Sequence, residues 1–441
     1  MVSTDATFTK NSRYERYRWQ IFAVTWLAYA GFYLTRKSFS VAKVALTPEK
    51  AGSTGFFLTP EQMAWIDSGY LIAYAIGQFT WGMLGDKAGT RRVILVGMLC
   101  SVVLGIAMGV STITTLFGVF FILQGLCQSS GWAPLSKNIG NFFSQHERGT
   151  IMGMWCTNYA LGGVIASALA GWAISYFGDW RYAFYVPAGA LFLIWVLFLI
   201  FQTNKPEDVG LPPIEEYHNE EQSVLEEDDN PEDEVEGTWH TIGQVLQNRM
   251  VLILGAIYFF LKPTRYAILF WGPFYLSKKL GSNPMESGIL SSLFELAGPL
   301  SVFLGGYISD KVFRSKRMPV SIICLFGLAG LLLLLDNLPA SKMYLGGCFF
   351  LIGFLLYAPD SLVSGTAALD FGTRKGASTA AGFINGCGSI GAIVGGTIPG
   401  LFYKQWGWNG VFSFMAASVL LAALLLTPQW HALPATAKSS N

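Results

Sequence analysis

Polar residues in this chain come in bursts, and the stretches between bursts are apolar and long enough to cross a bilayer. They run at roughly 19–45, 61–84, 93–111, 115–142, 149–175, 182–202, 250–276, 285–309, 318–336, 342–369, 376–400 and 410–427. A helix needs about 20 residues to cross the hydrocarbon. The pattern therefore predicts twelve spans, with the fourth and fifth, and the tenth and eleventh, the least cleanly separated. No period-two alternation points to a barrel, and backbone groups in lipid must pair within their own segment, so the spans are helical. The predicted fold class is an all-α membrane protein with twelve transmembrane helices in two pseudo-symmetric six-helix bundles.

Composition agrees. Hydrophobic residues make up 52% of the chain and charged residues 13%, against about 25% charged in soluble domains. Charge is unevenly placed. Pro206–Glu236 holds half of the 28 acids and no Lys or Arg. The predicted organisation is a cytoplasmic N-terminal segment (1–18), a first bundle (19–202), an acidic cytoplasmic linker (203–248), a second bundle (249–427) and a cytoplasmic tail (428–441). Thr203–Gln247 is expected to be a solvated, mostly disordered tether. With the N-terminus inside, 15 basic residues of loops and ends face the cytoplasm and six the other side, which favours both termini inside. The polar, basic start and the long first apolar run do not read as a cleavable signal. The expectation is an integral, multi-pass protein, of the inner membrane if bacterial. All six cysteines fall in apolar runs without metal-ligand spacing. The four histidines lie outside those runs or at their ends, which disfavours a mid-membrane histidine relay.

The two parts of the chain repeat one another. Gly82-x-x-x-Asp86 recurs as Gly306-x-x-x-Asp310, Ala133-Pro134 as Ala358-Pro359, Arg148-Gly149 as Lys375-Gly376, and Trp180…Phe184 as Trp408…Phe412. The nearly constant offset indicates a duplicated six-helix unit. Two such units with a site between them near the midplane are the plan of an alternating-access carrier.

Two arginines stand out against this plan. Arg36 lies in the first apolar run and Arg265 in the first run of the second unit, at matched depth. An arginine at the bilayer centre costs several kcal/mol and so faces protein or a wet cavity. A guanidinium presents paired donors to two oxygens of a phosphate, which lysine cannot reproduce. Two such groups facing one cavity make a receptor for a dianion, phosphate being the obvious one. Lys262 lies one turn before Arg265 on the same face, a candidate further phosphate contact. Tyr29 and Tyr33 share the Arg36 face, and Trp132 and Tyr159 are further candidates; all four could line a cavity or simply pack. Lys37 points about 100° from Arg36 and either faces another helix or tunes the cavity. Lys137, near the end of its run, reads as a snorkelling side chain. Asp67, Glu295 and Asp360 read as neutralising partners of buried cations. Proton coupling is the sharper alternative, strongest for Asp360 after Pro359.

The motifs around these residues resemble a known family. Gly82-Met83-Leu84-Gly85-Asp86-Lys87-Ala88-Gly89-Thr90-Arg91-Arg92 resembles the signature loop of the major facilitator superfamily, with Gly306–Arg317 a weaker second copy. By that resemblance Asp86, Arg91, Arg92, Asp310 and Lys311 serve gating and conformational change. Phe32-Tyr33-Leu34-Thr35-Arg36-Lys37-Ser38-Phe39, Gln124-Gly125…Gly131-Trp132-Ala133-Pro134, Arg265-Tyr266 with Trp271-x-Pro273-x-Tyr275-Leu276, and Lys205-Pro206-Glu207-Asp208-Val209-Gly210-Leu211-Pro212 are similar to segments of the organophosphate:phosphate antiporter family, which includes hexose-phosphate and glycerol-3-phosphate transporters. Leu71–Gly77 looks closest to the sugar-phosphate exchangers. The likeness runs from about Tyr17 to Trp408. It implies that Arg36 and Arg265 clamp the phosphate moiety. Gln78 and Tyr159 depart from the lysine and histidine of the glycerol-phosphate transporters. Asn385 is the main polar residue of a stretch that carries charges in hexose-phosphate transporters.

The expectation is a secondary active transporter exchanging an organic phosphate, first a sugar phosphate, for inorganic phosphate. The expected unit is a monomer in a lipid bilayer, with no cofactor, no metal and no nucleic-acid partner. The rivals are a membrane sensor of hexose phosphate signalling to a kinase and a proton-coupled organic-anion carrier. No nucleotide loop, metal cluster or nucleophile elbow points to an enzyme. The glycine-rich stretch Gly382–Gly396 reads as close helix packing.

Overall fold

The structure, a computed structural model, describes residues 11–48, 55–217, 247–313, 316–363 and 377–431. Asn11 starts the first helix: its side-chain oxygen accepts from the backbone N–H groups of Arg13 and Tyr14, two of the four donors a helix start leaves open. Helix α1 then runs Ser12–Ala42. The basic cluster assigned to a segment before the first span therefore forms that helix's opening turns.

Helices α2 (Pro60–Ala88) and α3 (Thr90–Val110) are separated by Gly89 alone. The stretch Gly82–Arg92, expected as a loop, is helical on both sides of that one residue. Gly89 sits at φ +80°, a conformation that glycine adopts freely and that a Cβ strains. Helices α4 (Thr114–Gln128) and α5 (Trp132–Phe142) form one crossing stretch, and α6 (Gln145–Trp155) leads into α7 (Thr157–Phe177). Helix α8 covers Tyr182–Phe201.

After the short helix α9 (Ile214–Tyr217), the second part of the chain holds α10 (Arg249–Leu280), α11 (Pro284–Lys311), α12 (Arg317–Leu335), α13 (Lys342–Ser361) and α14 (Ala377–Leu426). Asn248 and Asn283 cap α10 and α11, and Pro284 sits where a missing N–H costs nothing. Helix α14 is two helices meeting at Gly407, whose φ of +60° breaks the run.

Among the described residues, nine helical stretches have the length and composition to cross a membrane. Helices α1 and α2 are long enough but more polar. They carry Arg36 and Lys37, and Asp67 and Gln78. The chain is thus an all-α, multi-pass membrane protein. Helix α1 packs on α7 and α8, α2 on α4, α10 on α14, and α11 on α13; α7 against α11 and α2 against α14 join the two parts. The glycine-rich stretch of α14 lies tight on α10. A Cβ added at Gly391 would stand 2.1 Å from the Phe259 carbonyl oxygen, and one at Gly395 2.3 Å from that of Pro263.

The acidic linker departs from expectation at its start. Residues 203–217 are folded, with a 3-10 turn at Pro206–Val209 followed by α9. The Tyr217 ring stacks on Tyr14 at 3.9 Å, Arg13 donates to the Val209 carbonyl at 2.9 Å, and Leu211 and Ile214 bury with Tyr14. Leu211, just before the helix, and Ile214 and Tyr217, its two ends, are three apolar residues hidden in an acidic run. Residues 218–246, the rest of the expected tether, lie outside the described residues.

Candidate functional site

A cavity of about 730 Å³ lies between the two parts of the chain. Its walls hold Tyr29, Tyr33 and Arg36 of α1, Trp132 of α5, Tyr159 of α7, Lys262 and Arg265 of α10, Asp360 of α13 and Asn385 of α14. All nine residues singled out as binding candidates face this one space.

Arg36 is nearly buried and held by neutral groups. Its Nε donates to the Gln128 side-chain oxygen at 3.2 Å. The Tyr70 hydroxyl donates to that same oxygen at 2.7 Å, and the Gln128 amide donates to the Thr35 hydroxyl at 2.9 Å. The guanidinium carbon stands 4.6 Å from the Tyr33 ring centre and 4.8 Å from that of Tyr74, positions where ring quadrupoles attract a cation. Its Nη2 is buried without a hydrogen-bond partner among the described residues. A buried charged donor left open is costly.

Arg265 is held differently. Its Nη1 donates to Asp360 Oδ2 at 2.7 Å, and its guanidinium carbon lies 4.8 Å from the Tyr357 ring centre. Lys262 Nζ stands 3.3 Å from the other oxygen of Asp360 and 4.4 Å from the Tyr258 ring centre. One carboxylate thus serves two cations. A second lobe of about 320 Å³ continues past Tyr74, Gln78, Ser129, Trp132, Tyr266 and Asn385; among the described residues Lys262 is its one charged lining residue.

At one end the cavity is shut. Lys37 Nζ reaches Glu295 Oε2 at 2.8 Å and the Leu269 carbonyl at 3.3 Å, joining α1 to α11 and α10. Lys43 pairs with Asp67, donates to the Phe270 carbonyl at 3.1 Å and stands 4.2 Å from the Trp271 ring centre. Ser40 donates to the Leu269 carbonyl, and the Ser68 and Thr397 hydroxyls are in contact. These contacts involve the C-terminal ends of α1 and α10 and the N-terminal portions of α2 and α11. The side chains of Met152 and Cys156 on α6 and its end, and of Val302 and Phe303 on α11, line the opposite end.

The three acids expected to neutralise buried cations each do so: Asp67 with Lys43, Glu295 with Lys37, Asp360 with Arg265 and Lys262. Lys37 faces another helix rather than the cavity. Lys137 is exposed near the linker's start. Of the gating candidates, Arg91 donates to the Leu199 carbonyl at 2.6 Å and its backbone N–H to Asn204 at 2.8 Å, so it ties α3 to α8 and the linker. Arg92 and Lys311 are exposed. The side chains of Asp86 and Asp310 lie outside those described. Sequence reasoning missed Lys43, Gln128 and the aromatic cradle of Tyr74, Tyr258 and Tyr357. The only advance signal for Lys43 was its position seven residues, two helical turns, beyond Arg36 in an apolar run.

Known proteins resemble this chain along most of its length. A profile of the Major Facilitator Superfamily matches residues 25–381. The "Probable hexose phosphate transport protein" of Chlamydia trachomatis is 31% identical over 432 residues, covering 95% of this chain and 92% of that one. The glycerol-3-phosphate transporter of Bacillus subtilis is 30% identical, covering 96% and 94%. The solved structure of a bacterial homolog to the human lysosomal transporter Spinster, inward-facing and occupied, superposes with a TM-score of 0.69 at 14% identity, covering 95% and 97%. A matched profile over most of the length and relatives aligned nearly end to end show that the chain belongs to the Major Facilitator Superfamily, in the group that contains the hexose-phosphate and glycerol-3-phosphate transporters.

Proposed function

We propose that the protein exchanges an organic phosphate for inorganic phosphate across the membrane by alternating access. The observation that carries this reading is one cavity walled by Arg36 from the first helix of one part and Arg265 from the first helix of the other. Charge-assisted, bidentate contacts to phosphate oxygens are the strong kind. An anion shared by both guanidiniums draws the two parts together and relieves the repulsion between facing cations. The loaded carrier then reorients faster than the empty one, and exchange follows without a separate energy source.

In this reading the chain is two six-helix bundles, 19–202 and 249–427, with twelve crossings once α4–α5, α6–α7 and the two limbs of α14 are counted as such. The linker 203–248, the segment 1–18 and the tail 428–441 are cytoplasmic, as the basic residues favour. The cavity then opens to the cytoplasm, and the Lys37–Glu295 ion pair and the bond from Lys43 to the Phe270 carbonyl close its outer end. One chain supplies every wall, which supports a working monomer. The organic group is a sugar, by analogy with the relative named for hexose phosphate. The lobe beside the arginines, where Gln78, Asn385 and the rings of Trp132 and Tyr266 accompany a single lysine, Lys262, suits a hydroxyl-bearing ring. In the signature stretch and its second copy, Asp86, Arg91, Arg92, Asp310 and Lys311 serve the change of state at the cytoplasmic ends.

The decisive experiment is exchange by purified protein in liposomes loaded with radiolabelled phosphate. External hexose and glycerol phosphates are added in turn. Release of label on adding a sugar phosphate supports the reading. Binding without release makes the protein a sensor, and uptake into phosphate-free vesicles driven by a pH gradient makes it a proton-coupled carrier.

A further inference from the structure

The cavity's walls carry four charged side chains among the described residues: Arg36, Lys262, Arg265 and Asp360. Three cations and one carboxylate leave a net of two positive charges. The nearest other ion pair, Lys37 with Glu295, is buried behind the wall and cancels itself. The carboxylate is not set apart from the cations. Asp360 Oδ2 lies 2.7 Å from Arg265 and Oδ1 3.3 Å from Lys262, while Arg36 meets Gln128 and aromatic rings. Asp360 lies on α13, just after Pro359, and both of its cations lie one turn apart on α10. Among the described residues, a single acid on a neighbouring helix therefore offsets the cations of the site.

We propose that Asp360 determines the charge of the anion the carrier accepts. By cancelling one of three cations it tunes the cavity to a doubly charged ligand, so that occupancy by a phosphate monoester leaves the site neutral. A third negative charge would enter an already neutral, low-dielectric site at high cost. A singly charged ligand would leave a cation uncompensated. Asp360 thus acts on specificity by subtraction, without itself supplying a contact that attracts phosphate. This inference rests on the transport of phosphorylated anions proposed above.

The test uses two competitors of nearly the same shape. Phosphoglycolate carries three negative charges once its phosphate is fully ionised (second pKa about 6); its carboxamide carries two. Each is added against phosphate exchange in proteoliposomes at fixed, slightly alkaline pH. Wild-type protein is expected to be inhibited at least tenfold more strongly by the carboxamide. Asp360→Asn, with a net of three, should lose that preference or reverse it, and Asp360→Glu should keep it. The double variant Lys262→Gln/Asp360→Asn returns the net to two and should regain the wild-type preference, a rescue that a merely structural role for Asp360 would not give. Inhibitor binding measured by thermal shift on detergent-purified protein reads the same ratio in any variant too slow to exchange. An unchanged ratio in folded Asp360→Asn, or no rescue in the double variant, overturns the proposal. Absence of phosphate exchange in the wild type would instead strike the transport reading, leaving the binding ratios to judge Asp360.

Discussion

Arg36 and Arg265 occupy matched places in the chain but not matched surroundings. Arg36 is cradled by an amide and aromatic faces and keeps one nitrogen open; Arg265 is already committed to a carboxylate. The two lysine replacements should therefore differ. Arg36→Lys removes the open donor, and no neighbouring cation stands in for it. Hydrogen bonds to charged groups contribute about 1.5–3 kcal/mol, so exchange should fall about 10–100-fold. Arg265→Lys should also lower the rate, but by less at saturating phosphate, because Lys262 stands one turn away. Initial rates of labelled-phosphate exchange, with size-exclusion profiles to establish folding, check both; a variant of Arg36 at wild-type rate would refute the clamp. The arginines were legible in the sequence because charge inside an apolar run has few innocent explanations. Tyr74, Tyr258 and Tyr357 were not. An aromatic at helical spacing fits core packing as well as a cavity wall, and only the crossing of neighbouring helices decides which. Lys43 was lost for a related reason, since its partner Asp67 lies 24 residues away on another helix.

Among the elements, α14 shows how glycine spacing encodes contact. Gly391 lies against the backbone of α10, whereas a Cβ at Gly386, five residues earlier, would meet nothing within 4 Å. Gly391→Ala should push α10 and α14 apart and destabilise the protein by about 1–3 kcal/mol, the usual range for an overpacked site. Gly386→Ala should be neutral. Thermal unfolding in detergent separates the two, and equal melting temperatures would mean that the close approach is not needed. The linker offers a second contrast. Replacing 218–246 by a Gly/Ser segment of equal length should leave exchange within about twofold, the outcome that a spacer role predicts. Tyr217→Ala should instead release the linker's start from Tyr14, read as faster proteolysis near residue 211. Periodicity revealed the apolar stretches but blurred their ends. Gly82–Arg92 resembled a loop because glycines and charges cluster there, yet one positive φ at Gly89 is enough to turn the chain. The folded start of the linker escaped notice because three apolar residues among many acids look like noise until they meet Tyr14.

The two parts of the chain meet through polar contacts that close one end of the cavity, and these must break if the other face is ever to open. One of them, Lys37 with Glu295, is a buried ion pair; Lys43, paired with Asp67 inside its own part, crosses through its bond to the Phe270 carbonyl. Removing one partner of such a pair leaves an uncompensated charge, at a cost of about 3–5 kcal/mol, whereas separating both into water restores hydration. The closed end is therefore held firmly in the dry state and released when water enters, which suits a switch between two discrete arrangements better than a continuous hinge. The contact between Ser68 of α2 and Thr397 of α14 tests this. It bridges the two parts, lies at the closed end and bears no charge that would perturb the cavity. In a background with the native cysteines replaced by serine or alanine, Ser68→Cys combined with Thr397→Cys should form a disulfide under mild oxidation. The bond would hold that end shut and stop exchange, and reductant should restore it. Phosphate binding should survive oxidation, because the cavity is already formed in the closed-end state. If the oxidised protein still exchanges phosphate with the disulfide shown intact by mass spectrometry, this end does not open during transport, and alternating access through it fails.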